Sequence, residues 1–358
     1  MRIALISSGK RGPASYTLNL ARSLQRRGHE VLLLSTCRWV KEPFEPMYEA
    51  RSWAAFGMVP VVLSMRGVAR RIQMFAPDVL HYQWPSGTSD FFLSQVLRTG
   101  FPTIATVHVS VDSHDVFYDR VFAWHYRRFL RHLPSLRGLI SVSRFVAEQI
   151  NQGLPRIHVA HSIIYAGIDE TVFAPRPRSV TDHLRLLFVG QVNAEKGIDS
   201  LVEAALRVRR SRPLTLTVIG EGLRKSALQA RTRGLDWIRW GGFLRNQADI
   251  AAQYAEADLT VLPTRWDEAF SLVPVESMAC GTPVLATRKG GSPEIVIHGR
   301  TGYLISECDS DEIAETLLSV RTDELDAMRP QCRKTILGRH TLSSWCEAHE
   351  RIYGSLTR

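Results

Sequence analysis

Two carboxylates, Glu268 and Glu276, stand eight positions apart in the stretch EAFSLVPVE, with one serine and apolar residues between them. Such a pair has three uses. It can share acid and base work on a glycosidic bond, although acids for that chemistry rarely come from neighbouring turns of one loop and helix. It can cap a helix and sit in solvent, the ordinary role of acids near a helix start. Or it can flank a helix N-terminus whose N–H groups from Phe270 to Val273 hold a phosphate, while each acid accepts hydrogen bonds from hydroxyls on either side. The third arrangement is a receptor for a sugar attached to a nucleotide. Other residues could join it. Gly190 ends a strand-like run, and Lys196-Gly197 opens the next helix, where an ammonium can meet a phosphate or simply stay solvated. Gly9 and Gly12 precede the first helix and would offer backbone N–H groups to an anion, but their spacing is not G-x-G-x-x-G. His108, near the end of TIATVHV, is an ordinary strand-end histidine when taken alone.

The elements that must position these groups are legible as alternating short apolar β-branched runs and amphipathic stretches of helix length, the pattern of parallel sheets covered on both faces. Candidate strands are RIALIS, EVLLLS, DVLHYQW, TIATVHV and GLISVS, then LRLLFVG, LTLTVIG, DLTVLPT and PVLAT. The expected fold class is therefore α/β. Between the two sets lies FAPRPRSVTDH, proline-rich, charged and aperiodic. It divides the chain into a first domain at 1–172, a linker at 173–183 and a second domain at 184–340, with a final helix in 341–358 long enough to pack back on the first domain. Two doubly wound domains facing each other leave a cleft, and ligands of such sheets bind beyond the carboxyl ends of the strands. Pro274 fits the first turn of the helix that follows Glu268, where N–H groups have no partner in any case.

Composition narrows the class. The 358 residues are 45% hydrophobic and 22% charged, enough for a large core and two domains. The N-terminal MRIALISSGK runs directly into a strand and does not build a secretory signal, and no apolar run approaches the ~20 residues of a membrane span. A cytoplasmic protein is expected. Five cysteines, widely spaced and without C-x-x-C, indicate neither a disulfide framework nor a zinc site. The net charge of +10 is uneven: residues 1–172 carry 20 Lys and Arg against 12 Asp and Glu, residues 173–358 carry 25 against 23. A basic first half suits a phosphate-bearing ligand or an anionic bilayer, or reflects arginine-rich solvated helices. Neither zinc-finger spacing nor an aromatic RNP strand is present, so nucleic acid is not an expected partner.

The ordered set of segments resembles glycosyltransferase family 4, the retaining GT-B enzymes with an E-x7-E motif. Glu268 to Glu276 matches that motif. GHEVLLLS, SVSRF at 141–145, AGIDETVF at 166–173, VGQVNAEKGID at 189–199, VIGEG at 218–222 and ESMACGTPVLATRKGGSPEIVIHGRTGYLI at 276–305 agree in order and spacing. The likeness covers nearly the whole chain and is strongest from about 185 to 305.

The resemblance implies two Rossmann-like domains, the first binding acceptor and the second binding a UDP- or GDP-linked hexose. It implies that Glu276 holds the ribose hydroxyls and Glu268 those of the transferred sugar. Phe270, Ser271 and Leu272 would offer N–H groups to the sugar and distal phosphate. Lys196 would neutralise the leaving diphosphate, Gly12 would let the first domain's backbone approach it, and His108 would lie near the donor sugar. Gly190 and Gln191 would border the donor. Transfer would proceed with retention, by front-face attack in which the leaving phosphate takes the acceptor proton, with no metal and no cofactor beyond the nucleotide sugar. Three positions depart from the family pattern. Gln191 stands where an arginine usually pairs with the lysine, so Arg11 or Arg265 is the candidate substitute cation; Ser271 replaces a glycine and Ala166 an asparagine.

For the acceptor, a glycan, lipid-linked or small-molecule hydroxyl, the expected contacts are Trp84, after the third strand, and Asp112. Trp84 serves equally well as a core residue. VFYDRVFAWHYRRFLRHL at 116–133 mixes aromatics and cations at helical spacing, as either an interfacial helix against the inner face of an anionic membrane or a buried aromatic stripe with a solvated basic face. Rival functions are a nucleotide-sugar epimerase on the same architecture and a non-catalytic nucleotide-sugar binding protein, which Gln191 would favour. A dinucleotide oxidoreductase lacks its glycine fingerprint.

Overall fold

The computed structural model describes residues 1–7, 12–35, 44–49, 52–55, 59–62, 65–84, 90–108, 129–153, 159–179 and 181–356. Gly9, Arg11, Asp112 and most of the segment 116–133 lie outside the described residues. The chain divides into two compact units, Met1–Ala166 with Leu342–Arg358, and Gly167–Thr341.

In the first unit the apolar runs become β1 (Arg2–Ser7), β2 (Glu30–Ser35), β3 (Met47–Glu49), β6 (Val79–Trp84), β7 (Thr103–Val107), β8 (Gly138–Ser141) and β9 (His161–Ile163), while β4 (Ser52–Ala55) and β5 (Val59–Val62) form a separate antiparallel pair. The seven strands make one parallel sheet in the order β3-β2-β1-β6-β7-β8-β9. Strands covered by helices on both faces need no polar alternation, which is why β1 and β6 are buried almost end to end. The final helix, Leu342–Leu356, belongs to this unit. Its Trp345, Cys346, His349 and Tyr353 are buried, and the indole of Trp345 donates to Tyr16 Oη at 3.1 Å. Each large apolar side chain so buried contributes about 1.5–3 kcal/mol. At the rim, Glu350 takes Arg27 at 2.9 Å and His29 at 2.8 Å. Phe129 and Leu133, the buried members of the part of 116–133 that is described, face inward, and Arg131 is exposed.

The second unit contains β10 (Leu184–Val189), β11 (Leu214–Ile219), β12 (Ile238–Gly242), β13 (Leu259–Leu262), β14 (Val284–Thr287) and β15 (Gly302–Ile305), parallel in the order β12-β11-β10-β13-β14-β15. Residues 173–183 lie inside this unit. Their prolines forbid regular structure, yet Phe173 is buried against Tyr254 with ring centroids 6.3 Å apart, and Arg178 pairs with Asp258 and Asp326. No helix among the described residues is long and apolar enough to cross a membrane.

Candidate active site

In each sheet the strand order reverses beside the first strand, at β1/β6 and at β10/β13. A reversal sends consecutive connections to opposite faces and opens a crevice at the carboxyl ends of the two strands. At β10/β13 the crevice is bordered by the loop from Gly190 to Gly197 and the loop from Pro263 to Ser271. Backbone bonds lock the two loops together. Arg265 N–H donates to Glu195 O at 2.8 Å, and the Thr264 hydroxyl donates to the same oxygen at 3.2 Å. Gly197 makes this approach available: with φ at +70° it sits where a Cβ would fall 1.9 Å from Pro263 O.

The loops deliver Lys196 Nζ to Glu268 Oε1 as a hydrogen-bonded ion pair, both side chains largely shielded from water. The ammonium also lies 6.0 Å from the Trp266 ring centroid. Glu268 is held through its backbone as well, since Gly291 N–H donates to Glu268 O at 2.8 Å and Gly290 N–H to Asp267 Oδ1 at 2.8 Å. Gly290, with φ at +55°, is tight against this loop: a Cβ there would meet Glu268 O at 2.1 Å.

The helix that carries the second acid runs Leu272–Ala279, with extended Ser271 as N-cap making no side-chain capping bond. Its first-turn donors, those of Leu272 and Val273, precede Pro274, so this end of the helix presents partial positive charge. The far end is pinned by Ser277, whose hydroxyl bonds Thr260 Oγ1 at 2.7 Å and Thr282 O at 2.9 Å. Glu276 projects one turn in and takes a hydrogen bond from Tyr254 Oη at 3.0 Å. Burial pushes its carboxyl up to about 7, against the pull of the phenol. Phe270 stacks on His340 at 6.1 Å between centroids.

Gly190 and Gln191 follow β10 directly. Asn193 Nδ2 donates to Gln191 Oε1 at 3.3 Å, which occupies the amide oxygen and leaves the NH2 as the group to meet an anion. Arg265, the alternative cation, is directed to Ser200 Oγ at 2.9 Å.

The remaining expected residues lie in the first unit. Gly12 opens the helix Gly12–Arg26. His108 follows β7, with its Nε2 2.6 Å from Gln83 Oε1 and its ring edge-on to Tyr16 at 4.6 Å. Burial, with a smaller push from His349, takes its pKa down to about 3, so the ring is neutral. Trp84 is fully buried and stacked on Phe129 at 4.2 Å, which makes it a core ring rather than an open platform for a sugar. Tyr254, Ser277 and Gly290 support the two acids without having been singled out in the sequence. Only the Gly290-Gly291 pair carried a local signal, a paired glycine in a strand-following loop.

Comparison with known proteins adds the decisive observation. A model described as Glycosyltransferase Family 4 matches residues 10–183, and one described as Glycosyl transferases group 1 matches 183–323. The D-inositol 3-phosphate glycosyltransferase of Arthrobacter sp. is 30% identical over 290 residues, which cover 73% of this chain and 67% of that one. The chain belongs to glycosyltransferase family 4. Among other members, the glycogen synthase of Mycobacterium tuberculosis is 36% identical over 273 residues, 71% of this chain and 62% of that protein. The GDP-mannose-dependent alpha-mannosyltransferase of M. tuberculosis is 24% identical over 381 residues, covering 99% and 96%. The relatives at 30% identity or above are matched over only 58–67% of their own length. Solved structures extend the likeness to the fold. Sucrose-phosphate synthase from Thermosynechococcus elongatus superposes with a TM-score of 0.81 at 19% identity, covering 99% of both chains. Anabaena HepE in complex with UDP-glucose gives 0.78 at 17%, covering 99% of this chain and 100% of that one. The fold of this family 4 chain is therefore GT-B, built of two Rossmann-like parallel-sheet units.

Proposed function

We propose that this family 4 chain is a retaining, metal-independent hexosyltransferase that moves a sugar from a UDP- or GDP-linked donor to an acceptor hydroxyl. The observation that carries the reading is the meeting of Lys196 and Glu268 at the carboxyl ends of β10 and β13, beside the N-terminus of the helix Leu272–Ala279. That corner combines a cation, open backbone donors and a carboxylate, the set required by a sugar diphosphate. Its relatives' names support the donor class, GDP-mannose in one case and UDP-glucose in the complex of another.

In this reading the diphosphate lies against the helix N-terminus and takes Lys196 from Glu268, freeing that carboxylate for the hydroxyls of the hexose. Glu276 holds the ribose. The bond from the anomeric carbon to the phosphate oxygen breaks as the acceptor oxygen bonds to the same face of that carbon. The departing phosphate oxygen takes the acceptor's proton, so no separate base is needed. Lys196, the helix end and the Gln191 amide stabilise charge as it accumulates on the leaving group, from positions fixed before the reaction starts. The first unit binds the acceptor, which is a glycan, a lipid-linked sugar or a small aglycone.

A thermal-shift and mass-spectrometric screen of UDP-, GDP- and ADP-sugars in the presence of EDTA tests this. Stabilisation by one nucleotide class with slow release of free sugar is expected. A converted but still nucleotide-linked sugar would instead mean an epimerase, and stabilisation without any turnover on a panel of acceptors would mean a binding protein.

A further inference from the structure

The phenol of Tyr254 is wholly buried, yet its acceptor is a side chain that solvent still reaches. Tyr254 lies on the helix Gln247–Glu256, a different element from the one that carries Glu276. It is fixed on both sides of its Cα. The backbone carbonyl accepts from the buried Thr282 hydroxyl at 2.5 Å, and the ring packs on Phe173. A phenol in such a place needs an acceptor, and here it has taken one oxygen of a carboxylate, Oε2. Among the described residues Glu276 Oε1 has no hydrogen bond. The pairing therefore fixes the carboxylate with one oxygen occupied and the other without a hydrogen bond.

We infer that Tyr254 is a positioning residue for the donor nucleotide, holding Glu276 so that its free oxygen accepts hydrogen bonds from the ribose diol. The inference rests on the reading that Glu276 takes the ribose. Two effects follow from one hydrogen bond. The carboxylate loses rotational freedom before the nucleotide arrives, so less is lost on binding. The phenol also favours the ionised carboxylate, the form to which hydroxyls bond most strongly, against burial that favours the neutral acid. Among the described residues, the ionisable groups that face Glu276 are Tyr254 from the neighbouring helix and Cys280 at the end of its own, and the burial of both keeps them neutral at ordinary pH. Nucleotide affinity should accordingly fall as pH drops through about 7, where Glu276 takes up its proton, and removal of the phenol should move that fall to higher pH.

Tyr254→Phe keeps the ring and removes only the oxygen. Calorimetric titration of the full chain with UDP and with GDP from pH 6 to 9 is expected to show about tenfold weaker binding of the preferred nucleotide at pH 7. Most of the loss should be recovered at pH 9. The donor KM should rise in parallel while kcat stays within about twofold. Equal weakening at every pH would reduce Tyr254 to a packing residue, and unchanged affinity at pH 7 would remove its role altogether; either result overturns the inference. Glu276→Gln separates this from the underlying reading. If that variant binds nucleotide as tightly as the parent, the ribose assignment itself is wrong. If it binds weakly while Tyr254→Phe does not, only the positioning role falls.

Discussion

Glu268 and Glu276 make different demands on their surroundings, and their variants should fail differently. Glu268 shares its corner with Lys196, and on the proposed reading it lies beside the bond between the glycosyl group and phosphate. Glu268→Ala is expected to slow transfer about 100-fold or more while the affinity for nucleoside diphosphate changes less than about threefold, a split that steady-state kinetics and calorimetry resolve. A large loss of nucleotide affinity would place Glu268 on the wrong part of the donor. Gln191→Arg should do the opposite. A guanidinium at the end of β10 would give the phosphates a charge and a fork that the amide lacks, tightening the diphosphate about tenfold, and unchanged binding would mean that position 191 does not face it. The sequence singles these residues out because Gln191 directly follows a strand and the two acids flank the start of the next helix. It does not single out Tyr254. In the sequence it is one aromatic on the buried face of an amphipathic helix, and nothing local says that its hydroxyl meets a carboxylate 22 positions later.

At the scale of elements, the site depends on three loops, after β10, β13 and β14, that can meet only because glycines line their contacts. Gly290→Ala would put a methyl group 2.1 Å from Glu268 O at a φ of +55°. The expected result is a loss of about 2–3 kcal/mol in urea unfolding, together with slowed transfer because the Glu268 backbone must retreat. Wild-type stability in that variant would show that the loop adjusts freely. The nine strands read from apolar runs all formed, because continuous β-branched stretches flanked by turns have few other ways to bury themselves. The strands not anticipated are of another kind. β12 alternates in burial and ends in two glycines at the sheet edge, β15 has only four residues and begins at a glycine with φ +152°, and β3 and β9 are three residues long. Their pairing comes from neighbours in the sheet rather than from their own composition.

Over the whole molecule, acidity should act on the two units in opposite directions. In the second unit, burial raises Glu276 from 4.5 to about 7, so its contribution to stability is complete below the unfolded value and is lost as pH rises towards 7. In the first unit, burial lowers His349 from 6.5 to about 4 and takes His81 well below its usual value. Their contribution is complete above 6.5 and is lost as pH falls, by about 1.4 kcal/mol for His349 at pH 5.5. Hydrogen exchange followed by mass spectrometry at pH 5.5 and 7.5, corrected for intrinsic rates, should find residues 1–166 and 342–356 less protected in acid and the second unit's Glu276 helix more protected. Parallel behaviour of the two units would refute the assignment. A two-domain α/β chain could be read from its pattern, but the tie made by Phe173 and Arg178 could not, because a proline-rich, charged stretch looks like a tether until its partners are known.

The final helix also orders events at birth. Residues 167–341 form one unbroken piece of chain and can complete their sheet while the ribosome is still adding the tail. The other unit must wait for Leu342–Leu356, since Tyr16, His81 and Arg27 find Trp345, Tyr353 and Glu350 only after that helix has emerged. Of the two units, the one whose strands are made earlier is thus finished later. Its unsealed apolar face is what a chaperone would meet, and a chain cut short by about twenty residues would carry a whole second unit beside a first one that never closes.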